Sequence, residues 1–417
     1  MNHGVNRTRI DDLDDHMLTQ ILLRLPNCAT VLACSPVNKR WCSLISDLNF
    51  SVQFVDHKKK TTTFSKGSDS DHEDDQPRWN LITTTKSWKL PLTTEFIFGS
   101  TKVSLNYLPC NTCTTRATFK DLLLCSDYKT YKGRGRVYYI TNLLTKQWIA
   151  LPPCPSSDKH KWETMTNVAF ICQPPYNNTQ HYNKFRVVKA SPLRMDYTFD
   201  LVVYCSEIGE WKEIKLRVPN EVGPLRLVNE ETETVVCNGI IYFKSGLCNL
   251  CLVAFNPFDV NASSCDMTHE ARVMPPLPDF GYLKESSGQL LVVHTPQNGL
   301  WYRKDGTTIT LQMVVWKLDL NQAPLVWETT FQGLCKGELP HYSRLECRIF
   351  AESINVHPYN HKLIYMYLIP GKQVVLCDTR TGCITSSKSL LYYGKTFHRL
   401  PWWPTSVSAL ATTTTRV

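Results

Sequence analysis

Apolar residues recur with helical periodicity only near the start of the chain, between residues 10 and 49. Four of them fall at the spacing of one helix face: Leu18, Ile21, Leu22 and Leu25. We expect Asp11 or Asp12 to cap this first helix, because short polar side chains satisfy the free backbone N–H groups there. Pro26 is expected to end it, because proline has no N–H to donate.

Two further short helices are expected before residue 50. One covers residues 30–34, and the next begins at the N-cap Ser35 with Pro36 in its first turn. A second apolar stripe follows: Val37, Trp41, Leu44 and Ile45. Lys39 and Arg40 are expected on the opposite side. Three such short helices bury little surface alone, so their stripes either pack on the rest of the chain or bind a partner protein.

The next segment is almost free of apolar residues, and the segment after it is rich in short β-type runs. Residues 51–80 include an acidic stretch around Ser68 and Ser70, so we expect a disordered linker. Those two serines resemble sites for an acid-directed kinase. From residue 81 onward, eleven runs predict strands: 137–140, 168–172, 185–189, 199–204, 234–237, 240–243, 250–255, 290–294, 313–318, 363–368 and 374–377.

A repeat occurs within the β-rich part. A strand ends in a small polar residue, a turn follows, and an apolar or aromatic strand resumes. The polar residues recur at intervals of about 50 to 64 positions: Asn142, Ser206, Asn256, Asp319 and Asp378. Such a period predicts a β-propeller of about six blades over residues 81–405. The tryptophans after three of these turns, Trp148, Trp211 and Trp327, are expected to pack between neighbouring sheets.

The helical part resembles an F-box. The resemblance is carried by Leu13-Asp14-x-x-Met17-Leu18-x-x-Ile21-Leu22-x-x-Leu25-Pro26, then Val31-Leu32, then Val37-x-Lys39-Arg40-Trp41. It implies docking on a Skp-type adaptor and, through it, on a cullin scaffold. The implied adaptor-binding residues are Leu13, Met17, Leu18, Ile21, Leu22, Leu25, Pro26, Leu32, Val37 and Trp41. Two positions depart from the family pattern: Asp14 stands where proline is usual, and Asn38 where cysteine is usual.

The β-rich part is similar to the F-box-associated, kelch-like domain of plant F-box proteins. The matching segments include Thr145–Trp148 with Leu151–Pro153, Lys184–Val188, Tyr204–Trp211, Asn238–Tyr242, Val315–Leu318 and His357–Asn360. The resemblance implies a multidomain α + β protein with a non-catalytic role, in which the propeller binds a protein substrate for ubiquitination. The resulting divisions are a disordered N-terminus (1–9), F-box (10–50), linker (51–80), propeller (81–405) and C-terminal tail (406–417).

Candidate substrate contacts follow from composition. Two loops combine aromatic and basic residues, a mixture enriched at interaction hot spots. Their residues are Trp301, Arg303 and Lys304 in one and His341, Tyr342 and Arg344 in the other. The alternative that these loops are simply solvated stays open.

The cysteine content bears on the cellular compartment and on metal binding. The chain has 17 cysteines and no apolar segment at its start, which favours reduced thiols in the cytoplasm or nucleus. Two Cys-x-x-Cys pairs, Cys110/Cys113 and Cys248/Cys251, have zinc-type spacing, but the second lies in an apolar run, so we expect neither metal nor cofactor.

Catalytic motifs are not found, and no run of 18 apolar residues predicts a membrane span. The net charge of +9 lies mainly after residue 77, which keeps open a second function as a plain binding or scaffold protein, including a nucleic-acid binder. Nucleic acid is the less expected partner, since basic and aromatic residues interleave only at 301–304 and 395–399.

Overall fold

The computed structural model describes 22 segments of the chain. These are residues 10–26, 28–64, 81–84, 95–98, 101–110, 113–127, 136–155, 167–173, 184–190, 198–217, 234–245, 251–259, 268–270, 272–278, 281–296, 308–320, 324–338, 350–357, 360–369, 373–386, 394–398 and 407.

The N-terminal unit is built from four α-helices and two 3-10 turns. The helices are α1 (Asp15–Leu23), α2 (Cys28–Cys34), α3 (Lys39–Ser46) and α4 (Leu48–Phe64). The 3-10 turns cover Ile10–Asp12 and Ser35–Val37. Helical periodicity therefore located α1 and α2 correctly.

The helix starts differ from the prediction. Asp14, rather than Asp11 or Asp12, caps α1, and its carboxylate accepts the N–H of Met17 at 2.7 Å. Ser35 begins only a 3-10 turn, and Asn38 caps α3 by accepting the N–H of Trp41 at 2.9 Å. Both caps have extended backbone, which lets a short side chain fold back onto the first turn.

The fourth helix corrects the predicted linker, because residues 51–64 are helical instead of disordered. Its buried face carries Phe50 and Phe54, whose rings stack with centroids 6.3 Å apart. They join one core with residues of the first three helices: Leu18, Leu22, Leu23, Val31, Trp41 and Ile45. α4 thus supplies apolar surface that three short helices lack. Residues 65–80, the rest of the predicted linker, lie outside the described residues.

The strands of the described chain form six antiparallel blades. Blade 1 has β1 (Leu81–Thr84), β2 (Glu95–Phe98) and β3 (Thr101–Ser104). Blade 2 has β4 (Cys113–Phe119), β5 (Leu122–Asp127), β6 (Tyr138–Asn142) and β7 (Trp148–Ala150). Blade 3 has β8 (Asn167–Cys172), β9 (Phe185–Ala190), β10 (Thr198–Cys205) and β11 (Glu210–Arg217). Blade 4 has β12 (Thr234–Cys237), β13 (Ile240–Ser245), β14 (Cys251–Phe255) and β16 (Arg272–Val273), whereas β15 (Thr268–Glu270), between β14 and β16 in sequence, belongs to the sheet of blade 3. Blade 5 has β17 (Tyr282–Ser286), β18 (Gln289–His294), β19 (Thr308–Leu318) and β20 (Trp327–Glu338). Blade 6 has β21 (Phe350–Val356), β22 (Leu363–Ile369), β23 (Gln373–Asp378) and β24 (Cys383–Ser386).

The last strand closes the ring. β25 (Gly394–His398) pairs antiparallel with β1 and becomes the innermost strand of blade 1. The blade is therefore built from both ends of the domain, which ties its first and last strands together. The predicted propeller of about six blades is confirmed, and each of the eleven predicted strand runs overlaps an observed strand.

Blades 5 and 6 are also joined through their outermost strands. Lys336 and Gly337 of β20 pair in parallel with Cys383 and Ile384 of β24, so the two blades form one eight-stranded sheet. A Cβ atom on Gly337 would lie 2.1 Å from the carbonyl oxygen of Ile384. Only glycine permits this close approach. β15 similarly pairs in parallel with β11, joining blade 4 to blade 3.

Candidate functional site

The helical unit presents an apolar surface made by α1 and the segment before α3. Met17 and Ile21 lie one turn apart on α1 and are 50% and 40% exposed, and Val37 is 60% exposed. Methionine, isoleucine and valine seldom stay this accessible together unless another molecule covers them. We call Met17, Ile21 and Val37 the adaptor surface, since all three are among the residues that the F-box resemblance implies.

Three other predicted adaptor-binding residues belong to the core. Leu18 and Leu22 are completely buried and Trp41 is 8% exposed, all within the helical unit itself. Their side chains face α4 and the other helices, which corresponds to the supporting role that the prediction allowed beside direct contact. They support the adaptor surface from beneath.

The last four predicted residues do not share one degree of burial. Leu13, Leu25 and Leu32 are half-buried, whereas Pro26 is exposed. Leu25 and Leu32 pack against the edge of the same core.

Arg40 connects the two parts of the adaptor surface, a contact that the helical pattern did not indicate. Its Nε donates to Asp15 Oδ1 at 2.6 Å, and its Nη2 donates to the carbonyl oxygen of Leu13 at 2.5 Å. The start of α3 is therefore bonded to the start of α1.

The two ends of the propeller differ in their connections. At one end, strands one and two of a blade, and strands three and four, are joined by short turns such as Lys120-Asp121, Asn238-Gly239 and Ser287-Gly288. At the other end lie the connections between strands two and three and between successive blades. We call these the tight-turn end and the long-connection end.

The repeat predicted from sequence corresponds to the turns between strands three and four. Asn142, at the end of β6, accepts the N–H groups of Leu144 and Thr145. Asn256 accepts the N–H of Phe258 after β14, and Asp378 accepts that of Arg380 after β23. Each of these three residues is thus an Asx-turn residue that reverses the chain.

The candidate substrate contacts Trp301, Arg303, Lys304, His341, Tyr342 and Arg344 lie outside the described residues. The described strands beside them show where their segments attach. Thr308 opens β19 and pairs directly with Glu338, which ends β20. Thr308 and Glu338 therefore lie side by side at the long-connection end of blade 5.

Two of the three predicted inter-sheet tryptophans are confirmed. Trp211 packs against Tyr138 and Tyr204, and its Nε1 donates to the carbonyl oxygen of Pro152 in the preceding blade at 2.9 Å. Trp327 repeats the arrangement, donating to Pro275 at 3.4 Å.

Trp148 corrects the prediction for the third tryptophan. It is 41% exposed, and its ring packs edge-on against Tyr139. Although Trp148 follows the same kind of turn as Trp211 and Trp327, its side chain is more exposed than theirs.

An ion pair within blade 3 holds an arginine that also contacts blade 4 at the tight-turn end. Arg186 is 2% exposed and binds Glu207 through both terminal nitrogens, one of them at 2.9 Å. Its Nε also donates to the carbonyl oxygen of Pro257 at 3.3 Å, and its guanidinium lies 5.1 Å from the Phe258 ring. Burial alone would raise the pKa of Glu207, but the hydrogen bonds from Arg186 lower it overall.

The cysteines differ in part from the expectation of reduced thiols. Cys110 and Cys113 form a disulfide in the connection between blades 1 and 2. Of the second Cys-x-x-Cys pair, Cys248 lies outside the described residues and Cys251 begins β14. Most of the other described cysteines are buried, and burial raises the pKa of Cys125 to about 12.

Within the described segments, no three His, Cys, Asp or Glu side chains lie together in a way that would hold a metal ion. In the same segments, no helix has the length and apolar content needed to span a bilayer.

The C-terminal tail is not separate from the propeller at residue 407. Val407 is completely buried in the core between blades 2 and 3, and its N–H donates to Gln147 Oε1 at 3.3 Å. The predicted domain end at residue 405 was therefore too early.

Two family models match the chain. One, described as an F-box domain, matches residues 10–53, and the other, described as "F-box protein At3g26010-like, beta-propeller", matches residues 83–392. No curated protein matches.

Several solved structures are similar at low identity. A puromycin hydrolase S511A mutant complexed with PGG is 10% identical with a TM-score of 0.38, covering 68% of this chain and 41% of that one. The chain thus spans less than half of that enzyme. A nidogen/laminin complex is 9% identical with a TM-score of 0.35, covering 74% and 92%. The α-L-arabinofuranosidase Arb93A from Fusarium graminearum is 10% identical with a TM-score of 0.34, covering 72% and 82%. Scores this low carry no argument about function.

Proposed function

Because the chain belongs to the family of F-box proteins with an At3g26010-like β-propeller, we propose that it is the substrate-recognition subunit of an SCF-type cullin-RING ubiquitin ligase. The helical unit binds a Skp-type adaptor, and the propeller holds a protein target. The combination of an F-box and a β-propeller supports a substrate-receptor role in SCF ligases in general.

The observation that carries the proposal is the exposure of Met17, Ile21 and Val37 beside a well-buried core in the same helical unit, where Ile10 and Val52 are also exposed. The unit completes its own core through α4, so it does not need these three side chains for folding. Burying apolar surface against a partner is favourable by about 25 cal/mol per Å². An apolar groove on an adaptor is the partner that this surface fits.

The propeller offers a rigid scaffold for target recognition. We place the target at the long-connection end of blade 5, where segments 301–307 and 339–349 attach to adjacent strands. Long connections on a rigid sheet can vary without disturbing the core, which suits recognition of a specific target. Trp301, Arg303, Lys304, His341, Tyr342 and Arg344 remain our candidates for the contacts.

The proposed role requires no catalysis by this chain. Holding a target beside a ubiquitin-charged partner raises the effective concentration of the target lysine, and the transfer itself takes place on other subunits. We assign the activity to the cytoplasm or nucleus. The eleven free cysteines among the described residues are typical of a reducing compartment.

Affinity purification followed by mass spectrometry tests the proposal. The full chain is expressed in wild-type form and as a Met17→Ser/Ile21→Ser variant, with the proteasome inhibited so that targets persist. We expect the wild type to recover a Skp-type adaptor, a cullin and at least one target, and the variant to recover only the target. Recovery of targets without adaptor or cullin by the wild type would favour a plain binding protein instead.

A further inference from the structure

Arg40 lies on the side of α3 that faces the start of α1. It is three residues beyond Val37 and two beyond the cap Asn38. Its side chain is 37% exposed, so it lies at the border between the solvent and the helical unit. From the sequence pattern it belonged to the face away from the apolar stripe.

Its guanidinium contacts two different acceptors on the segment that enters α1. The Leu13 carbonyl oxygen lies 2.5 Å from Nη2, and Asp15 Oδ1 lies 2.6 Å from Nε. Between these two residues, Asp14 caps α1 through the N–H of Met17 at 2.7 Å. The same short segment is therefore fixed both to the helix that carries Met17 and to Arg40.

This arrangement sets the distance between the two halves of the adaptor surface. Met17 and Ile21 are carried by α1, and Val37 immediately precedes the capped start of α3. Because Arg40 is the first-turn residue of α3 that bonds to the α1 segment, its contacts fix how Val37 stands relative to Met17. A surface held in its bound geometry loses less conformational entropy when a partner docks.

Arginine suits this task better than lysine. The two acceptors take hydrogen bonds from different nitrogens of one planar group, whereas an ammonium is a single point donor. The ion pair with Asp15 contributes little alone, since Asp15 is 66% exposed and exposed pairs are worth about 0–1 kcal/mol. The additional bond to a backbone carbonyl makes the contact directional.

We infer that Arg40 is a positioning residue for adaptor binding, which aligns Val37 with Met17 and Ile21 by bridging the Leu13 carbonyl and the Asp15 carboxylate. The inference rests on the proposed function of the adaptor surface. It assigns Arg40 a role in affinity without requiring that it contact the adaptor.

The test measures affinity for a purified Skp-type adaptor by calorimetry, using the full chain, four single variants and the double variant Arg40→Met/Asp15→Asn. Arg40→Met removes both donors and keeps the aliphatic stem, and Arg40→Lys keeps the charge. Lys39→Met is the matched control, because it removes the same charge from the neighbouring exposed position. Asp15→Asn weakens only one of the two contacts, and thermal melting is recorded for each variant.

We expect Arg40→Met to lower the affinity about tenfold, because it removes the charge-assisted hydrogen bond to the Leu13 carbonyl together with the weak ion pair to Asp15. Arg40→Lys should recover part of the loss, Asp15→Asn should cause a smaller loss, and Lys39→Met should bind like the wild type. In an Arg40→Met background, Asp15→Asn should have no further effect, because the partner of that carboxylate is already gone.

Equal affinity of Arg40→Met and Lys39→Met would overturn the inference. So would an affinity loss that follows the melting temperature alone, with no recovery in Arg40→Lys. If Arg40→Met does not fold, Asp15→Asn, Arg40→Lys and their combination are compared instead. Affinity losses of the two single changes that simply add up in the combined variant would then overturn the inference. A wild-type chain that does not bind the adaptor would instead contradict the proposed function itself.

Discussion

The side-chain oxygen of Asn38 lies 2.9 Å from the backbone nitrogen of Trp41 and accepts its hydrogen bond. Asn38 is one of the two positions at which the chain departs from the usual F-box pattern, and Asp14 is the other. Both are N-caps, so the two departures place capping side chains at the starts of α1 and α3.

Replacing Asn38 with Ala should destabilise the helical unit by about 1 kcal/mol, the usual cost of losing an N-cap. Asn38→Asp is the control, because its carboxylate can accept the same N–H. Thermal melting followed by circular dichroism at 222 nm checks the difference. Equal melting of the two variants would mean that the cap contributes nothing to stability.

The positions that the sequence predicted well are those set by local chemistry. The turn residues Asn142, Asn256 and Asp378 reverse the chain through hydrogen bonds to neighbours two residues away, so their spacing along the chain gave the blade number. The stripe on α1 followed from helical periodicity for the same reason.

Features that depend on distant partners could not be predicted in this way. α4 was missed because its lysine- and threonine-rich second half resembles a linker, while its stability comes from Phe50 and Phe54 packing on α1 and α3. In the apolar stripe of α1, Ile21 is exposed and Leu22 is buried. This difference could not be predicted, because helical periodicity does not show which of the two residues α4 covers. The Arg40 contact joins residues 25 and 27 positions apart and left no local pattern.

Trp211→Phe should destabilise the propeller more than Trp327→Phe does. Both changes remove a similar ring area and one N–H donor, but the bond to Pro152 is 2.9 Å long and the bond to Pro275 is 3.4 Å. A well-formed hydrogen bond contributes about 1 kcal/mol, and the longer one contributes less. Chemical denaturation of both variants measures the difference, and the opposite order would show that ring packing, not the Nε1 bond, decides the effect.

Gly337→Ala should break the pairing between blades 5 and 6. The added Cβ would meet the Ile384 carbonyl at 2.1 Å, and backbone atoms cannot move aside cheaply, so we expect a loss of about 1–3 kcal/mol. Gly333→Ala on the same strand is the control, because its Cβ would meet only the tip of the Phe331 ring at 3.2 Å. Hydrogen exchange at the Lys336 amide, which donates to the carbonyl of Gly382, should accelerate only in the first variant.

The ion pair between Arg186 and Glu207 in blade 3 should weaken in acid. Burial opposes ionisation of Glu207, but hydrogen bonds from Arg186 outweigh it and hold the pKa of Glu207 below its ordinary value. The stabilisation is therefore present above about pH 4.3, the ordinary pKa of glutamate, and is lost as the pH falls through the lower folded pKa.

Glu207→Gln should remove that part of the pH dependence. Unfolding free energy measured against pH should fall less steeply in acid for this variant than for the wild type, while the exposed Glu213→Gln keeps the wild-type slope. Parallel curves for all three proteins would exclude a role for the Arg186–Glu207 pair in acid sensitivity.

In the proposed function, the exposed side chains of α1 bind a Skp-type adaptor while the buried ones hold the helical unit together. This division of roles is tested most directly by the affinity of the double variant Met17→Lys/Ile21→Lys for a purified adaptor, with thermal melting recorded in parallel. We predict loss of measurable adaptor binding with unchanged melting, because lysines at exposed positions are hydrated in the free protein but lose that hydration in an apolar interface. If this double variant bound the adaptor at wild-type affinity, Met17 and Ile21 would not be part of the adaptor-binding surface.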